Sequence, residues 1–184
     1  MSDFHVLQSE RLLFSVPEAK DIPRILEYTE NPTISRNLLT FPHPYYERDA
    51  IAWINTANLG FQSGEQYIFA IRDTNDGALI GGTGLHLDKR HNRAEIGYWL
   101  GEPHWGKGYA TESTQTMIDF GFNTLELNRI TASYVKYNPA SGKVMQKCGM
   151  VEEGTFPEHI FKDEEYHDLI MYGITRQQYE TRQT

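Results

Sequence analysis

Apolar positions along this chain recur with two periods, and the switches between them mark out its elements. Arg11-Leu12-Leu13-Phe14-Ser15-Val16 is a short apolar run that predicts a strand, ended by Pro17. From Glu18 to about Tyr28, Ile22, Ile25 and Leu26 fall at helical spacing, and Asn31-Pro32 breaks the pattern. Asn37 to Tyr46 reads as a loop, because Pro42 and Pro44 forbid regular structure. A second helical face, Ala50, Ile51, Ile54 and Ala57, spans Glu47 to about Phe61.

The pattern then turns to strands. Tyr67-Ile68-Phe69-Ala70-Ile71-Arg72 is followed by Asn75-Asp76-Gly77, which has hairpin turn chemistry. Leu79 to Leu87 is its partner, where Gly81, Gly82 and Gly84 signal bending or close approach. A polar turn, Asp88 to Arg93, leads to a third strand, Ala94 to Leu100, which completes an antiparallel meander. A helical stretch from Thr111 to about Phe122 precedes the strand Arg129 to Val135. A strand–helix–strand connection of that length predicts that Ala94–Leu100 and Arg129–Val135 are parallel neighbours. Asn138-Pro139 opens a short helix that Gly149 closes, and strands at about Val151–Phe156 and Tyr166–Ile174 follow. The expectation is one α/β (α+β) domain over residues 1–184, with a single mixed, mostly antiparallel, seven-stranded sheet. No internal repeat, low-complexity segment or linker interrupts it.

Composition narrows the function classes. A formal charge of −8, with no block of five or more basic residues, argues against non-specific nucleic-acid binding. The single cysteine, Cys148, excludes an internal disulfide framework and suits a reducing compartment. No apolar run approaches the roughly 18 residues that span a bilayer. Met1-Ser2-Asp3-Phe4-His5 lacks the basic and apolar regions of a signal peptide. The chain therefore reads as soluble and cytoplasmic, without a membrane or nucleic-acid partner.

Trp105-Gly106-Lys107-Gly108-Tyr109-Ala110-Thr111 carries the chemistry. It follows the extended run Ala94-Glu95-Ile96-Gly97-Tyr98-Trp99-Leu100 and opens a helix. A strand that delivers a glycine-rich turn onto a helix start leaves backbone N–H groups unpaired at one spot, where the helix dipole adds positive character. Such a turn binds phosphates, and Gly106 and Gly108 let a ligand approach the backbone closely.

These runs together resemble the acetyl-CoA-binding core of the GNAT N-acetyltransferases. Asn138-Pro139-Ala140-Ser141, followed by Lys147-Cys148-Gly149-Met150, is similar to the next motif of that superfamily. The branch it most resembles is the ribosomal-protein N-terminal (alanine/serine) acetyltransferases and their bacterial relatives. The resemblance extends from Arg11-Leu12 to Tyr166-His167-Asp168 and implies a GNAT-like sheet with helices on both faces. It implies acetyl-CoA as cosubstrate, no metal, an amine acceptor such as a protein N-terminus, and a monomer or homodimer. The pyrophosphate would sit on the N–H groups of Gly106 to Thr111, with Lys107 adding charge or remaining solvated. Trp105 stands where the superfamily commonly carries Gln or Arg, so a side-chain contact is lost while the backbone cradle is kept. The pantetheine arm would pair with backbone at Tyr98, Trp99 and Leu100 where two strands splay apart. Asn138 would contact the pantetheine or adenosine portion; it is also a good helix N-cap.

For the chemistry, a protonated amine cannot attack a thioester, so some group must take its proton. Glu95 matches the superfamily's glutamate base, and its alternative is an ion pair with Arg93 or Arg129. Alternation puts Glu95, Gly97 and Trp99 on one sheet face, and Ala94, Ile96, Tyr98 and Leu100 on the other. Many superfamily members protonate the leaving thiolate with a tyrosine seven residues beyond the asparagine; here that position is Met145, which has no proton to give. Ser141 matches the serine that the ribosomal-protein branch uses near the thiol, and its alternative is a bond to its own backbone. Cys148, near a helix C-terminus, reads as a structural cysteine rather than a nucleophile. His86, His104 and His167 show no metal-ligand spacing and read as surface or structural. Phe41, Tyr45, Tyr46 and Trp53 read as core or lid, with an acceptor pocket as the alternative.

Two rival classes remain. Gly101 to Lys107 fits the spacing G-x-x-x-x-G-K of a P-loop, but Gly108 follows where magnesium needs Ser or Thr, and Pro103 interrupts the turn. A non-catalytic acyl-CoA-binding sensor module would suit the loss of both the tyrosine and the Gln or Arg. The acceptor is not encoded in any motif; Asn31–Trp53 and His159–Asp168 are the segments expected to choose it.

Overall fold

The computed structural model describes residues 6–39 and 41–183. The signal-peptide reading of Met1 to His5 and Thr40 of the predicted loop lie outside the described residues. The strands are β1 (Leu7–Gln8), β2 (Leu12–Ser15), β3 (Gln66–Asp73), β4 (Leu79–Asp88), β5 (Arg93–Leu100), β6 (Arg129–Val135), β7 (Val151–Lys162) and β8 (Glu165–Thr175). They form one eight-stranded sheet in the order β1-β2-β3-β4-β5-β6-β8-β7. Every neighbouring pair is antiparallel except β5 and β6, which run parallel. The strand beyond the expected seven is β1, two residues long and too short to leave a period in the sequence.

The helices are α1 (Ile22–Thr29), α2 (Pro32–Asn37), α3 (Glu47–Ser63), α4 (Tyr109–Asn123), α5 (Pro139–Lys147) and α6 (Arg176–Gln183). Leu85, Ala94, Ile96, Leu100, Met117, Ile118, Ile130 and Met145 share one core between the sheet and α4 and α5. Ile25, Tyr28, Ile34, Ala50, Ala70, Leu79 and Trp99 form a second core on the opposite face, under α1, α2 and the first half of α3. The sheet is thus covered on both sides, and β3, in the middle of it, is buried over five consecutive residues.

A buried ion pair fixes where α1 enters. Arg72 of β3 donates from Nη1 and Nη2 to the two Asp21 carboxylate oxygens, both at 2.8 Å, and from Nε to Ser15 Oγ at 2.7 Å. Both charges lie out of water, so the fork geometry and the serine bond are what make the pair tolerable there.

Two predicted boundaries move. α4 starts at Tyr109 rather than Thr111, since the left-handed Gly108 is its N-cap. β7 continues to Lys162 rather than stopping near Phe156, because a register shift between Phe156 and Ile160 absorbs Pro157 in an edge strand. Just past the break expected at Asn31-Pro32, residues 32–37 form the short helix α2, which Asn31 caps by accepting from Thr33 N at 2.9 Å.

Candidate active site

Three rungs alone hold β5 to β6: Arg93 opposite Arg129, Ala94 opposite Ile130 and Glu95 opposite Thr131. Past Glu95, β5 stays paired with β4 as far as Leu100 and Gly81, while β6 stays paired with β8 as far as Val135 and Leu169. The two strands therefore part in the middle of the sheet, and each turns one backbone edge toward the gap. Edges of this kind pair with an extended, amide-bearing ligand.

At the end of β5 the chain makes a 3-10 turn, Glu102–His104, and enters α4 through Gly106 (φ 71°) and Gly108 (φ 85°). Left-handed backbone at both positions explains the two glycines. Gly108 caps α4 with no side chain, so nothing internal takes the first amides of the helix. Among the described residues, no hydrogen bond is donated by the backbone N–H of residues 106 to 111; Glu112 N, to Gly108 O at 3.0 Å, is the first. A Cβ built on Gly106 meets nothing within 4 Å, so the space before these amides is open. The donors, the helix dipole and the open approach fit a diphosphate.

A brace that the sequence does not announce holds this turn from behind. Arg11 donates from Nη1 to Lys107 O at 3.0 Å and from Nε to Glu112 Oε2 at 2.7 Å. Its guanidinium also lies 4.6 Å from the Tyr109 ring centroid. Glu112 Oε1 accepts from Arg11 N at 2.8 Å and from Ser9 Oγ at 2.7 Å. Burial alone would raise the Glu112 carboxyl, but these bonds outweigh it and hold the group below the ordinary glutamate value. The only local hint is an acidic residue in the first turn of a helix. Trp105 commits its indole N–H to Leu100 O at 2.8 Å and so ties the turn to the end of β5. Lys107 is exposed.

Glu95 lies exposed on the β5 face shared with Gly97 and Trp99, and Oε1 accepts from Ser133 Oγ of β6 at 2.9 Å. Neither arginine considered for it takes the carboxylate, since Arg93 pairs with Asp88 and Arg129 with Glu153. Trp99 is in the core beneath α1 to α3, and Phe41, Tyr45 and Trp53 pack against that core. Phe41 stacks on Tyr45 with centroids 5.1 Å apart, which is packing within the fold, while Tyr46 is exposed.

On the opposite face, Tyr98 reaches from β5 across to α5. Its Oη lies 2.7 Å from Ser141 Oγ and 3.3 Å from Ser141 O. Burial pushes the Tyr98 phenol well above its ordinary pKa, against the Ser141 bond that lowers it. Asn138 occupies the N-cap position of α5 but makes no side-chain cap bond. Met145 is fully enclosed in the core. Cys148 is buried, donates from Sγ to Thr111 O at 3.4 Å, and burial pushes its thiol up to about 12. That is a structural cysteine. His104 Nε2 lies 2.9 Å from Tyr28 Oη, and His167 Nε2 lies 3.1 Å from Lys162 O. Among the described residues, no three His, Cys, Asp or Glu side chains are grouped to hold a metal ion. No described helix is long and apolar enough to cross a membrane.

The two segments expected to choose an acceptor meet in space. Lys162, at the end of β7, donates its ammonium to Ser35 O and Leu38 O at the end of α2. Tyr137 Oη, just before Asn138, donates to Arg36 O at 2.6 Å.

Comparison with known proteins bears on this arrangement. The family described as Acetyltransferase (GNAT) domain matches residues 11–151. The Uncharacterized N-acetyltransferase p20 of Bacillus licheniformis is 32% identical over 176 residues, covering 94% of this chain and 97% of that protein. The Putative ribosomal N-acetyltransferase YdaF of Bacillus subtilis is 35% identical over 106 residues, 57% of this chain and 58% of that protein. Spermidine N-acetyltransferase from Vibrio cholerae, solved with CoA and spermine, has a TM-score of 0.79 at 25% identity, covering 94% of this chain and 99% of that one.

Proposed function

This chain belongs to the GNAT acetyltransferase family, and from that membership we propose that it moves an acetyl group from acetyl-CoA to a primary amine by direct attack within a ternary complex. The observation that carries the reading is the parting of β5 from β6 beyond Glu95, beside a turn of unpaired amides. Acetyl-CoA, when bound, supplies the activated thioester.

The N–H groups of Gly106 to Thr111 hold the pyrophosphate, assisted by Lys107 and by Trp105, which pins the turn. The open backbone edge at Tyr98, Trp99 and Leu100 pairs with the pantetheine arm, and Asn138 contacts the pantetheine or adenosine portion. Glu95 takes the proton of the incoming amine, directly or through water. A backbone N–H near Tyr98–Leu100 stabilises the charge that develops on the carbonyl oxygen. Ser141 hydrogen-bonds the sulfur as it departs. Glu95 and the Tyr98–Ser141 pair lie on opposite faces of the sheet, which supports separate proton traffic for the amine and for the thiol.

The acceptor is a protein N-terminus or a small-molecule amine, entering on the Glu95 face beside α2 and the β7–β8 hairpin. Two relatives, one named for ribosomal and one for spermidine acetylation, support both kinds of amine as candidates. The test is a panel of peptide N-termini and polyamines assayed with acetyl-CoA by free-thiol release, with calorimetry of coenzyme A beside it. Glu95→Gln should lower turnover by about 10²–10⁴-fold while coenzyme A affinity holds. Unchanged turnover removes Glu95 as the base, and no heat with coenzyme A removes the cofactor site.

A further inference from the structure

We propose that Tyr98 is a positioning residue for Ser141, holding the serine so that its own O–H is left to face the sulfur of coenzyme A. The inference rests on the proposed cofactor site and deepens it. A serine hydroxyl rotates freely and has one proton to give. In the first turn of a helix it ordinarily turns back to its own backbone. Here Ser141 Oγ is instead 2.7 Å from a phenol anchored in a different element.

Either hydroxyl can donate in this 2.7 Å pair, and Tyr98 is taken as the donor. A phenol is the stronger donor and an aliphatic hydroxyl the better acceptor, and both oxygens within reach of Tyr98 Oη belong to Ser141. With that proton on Ser141 Oγ, the serine proton points away from the tyrosine. Tyr98 comes from β5 and Ser141 from α5, which follows β6, so the bond also spans the parted strands. Met145, where the family resemblance expects a tyrosine, is sealed in the core and takes no part.

The step balances as follows. The neutral amine nitrogen forms a C–N bond and sheds its surplus proton through Glu95 to solvent water, while the C–S bond breaks and its electron pair stays on sulfur. A thiolate with a reference pKa of about 8.5 is stabilised by the Ser141 O–H and takes its proton from solvent water.

Tyr98→Phe, Ser141→Ala and the double variant test this with two readouts. One is kcat and KM for acetyl-CoA; the other is the apparent pKa of the coenzyme A thiol bound to each protein, read by ultraviolet thiolate absorbance. Tyr98→Phe, which keeps the ring, should lower kcat about tenfold with KM within about twofold. It should also raise the bound-thiol pKa toward that of Ser141→Ala, and the double variant should fall no further than Ser141→Ala. Losses that multiply in the double variant overturn the proposal, because Tyr98 then acts alone. Wild-type values for Tyr98→Phe with losses in Ser141→Ala overturn it while leaving Ser141 in its role. Wild-type values for Ser141→Ala remove the serine assignment itself, and this inference with it.

Discussion

Arg11 Nε and Glu112 Oε2 lie 2.7 Å apart although the residues are 101 positions apart in the chain. The residue just before β2 thereby grips the first turn of α4 and holds the amides that precede it. A turn whose own N–H groups are unpaired has little internal reason to stay in place, so the restraint comes from outside.

Glu112→Gln tests that restraint. Bonds from Ser9 and Arg11 hold the Glu112 carboxyl below its ordinary value, and a depressed carboxylate stabilises the fold above the unfolded-state pKa, about 4.3. The contribution is lost as pH falls through the lower folded-state value. At pH near 7 the variant should lose about 1–2 kcal/mol, with Arg11 partly exposed and so screened. Urea midpoints of the two proteins should converge well below pH 4. An equal gap at both pH values would show that the charge is not what matters.

Gly106→Ala tests the cradle. The residue sits at φ 71° with open space where its Cβ would go, so the added backbone strain lowers stability by only about 1–2 kcal/mol. The new methyl would stand where the pyrophosphate is proposed to approach. Calorimetry should show coenzyme A affinity at least about tenfold weaker, far more than the modest drop in melting temperature explains. Unchanged affinity would move the diphosphate elsewhere.

Lys162→Met tests the acceptor side. The ammonium satisfies two carbonyls at the end of α2, and burial lowers its pKa. Methionine keeps the stem and removes the donors, at about 1 kcal/mol of stability. The acceptor kcat/KM should fall several-fold while coenzyme A affinity stays within about twofold. The reverse result would place the β7–β8 hairpin at the cofactor end.

Much of the proposed cofactor side was legible because it is built from contiguous chain. Backbone amides bind phosphate, and a strand, two glycines and a helix start can be read in sequence order from Ala94 to Thr111. The proposed acceptor side was not, because α2, the Tyr137 turn and the end of β7 come from three distant segments with no shared period. α6 was missed for a related reason: among its described side chains Tyr179 is the one core residue, stacked on Phe122, and a single anchor makes no stripe.

By itself, then, the sequence determined the longer strands and helices, the meander, the parallel crossover and the glycine turn, since periodicity and turn chemistry act over a few residues. Tertiary structure alone decided where β5 and β6 part, that Glu95 meets Ser133 rather than an arginine, and that Tyr98 meets Ser141. Those are choices among partners that local pattern leaves equivalent, and only the packing of two cores on opposite faces of one sheet separates them.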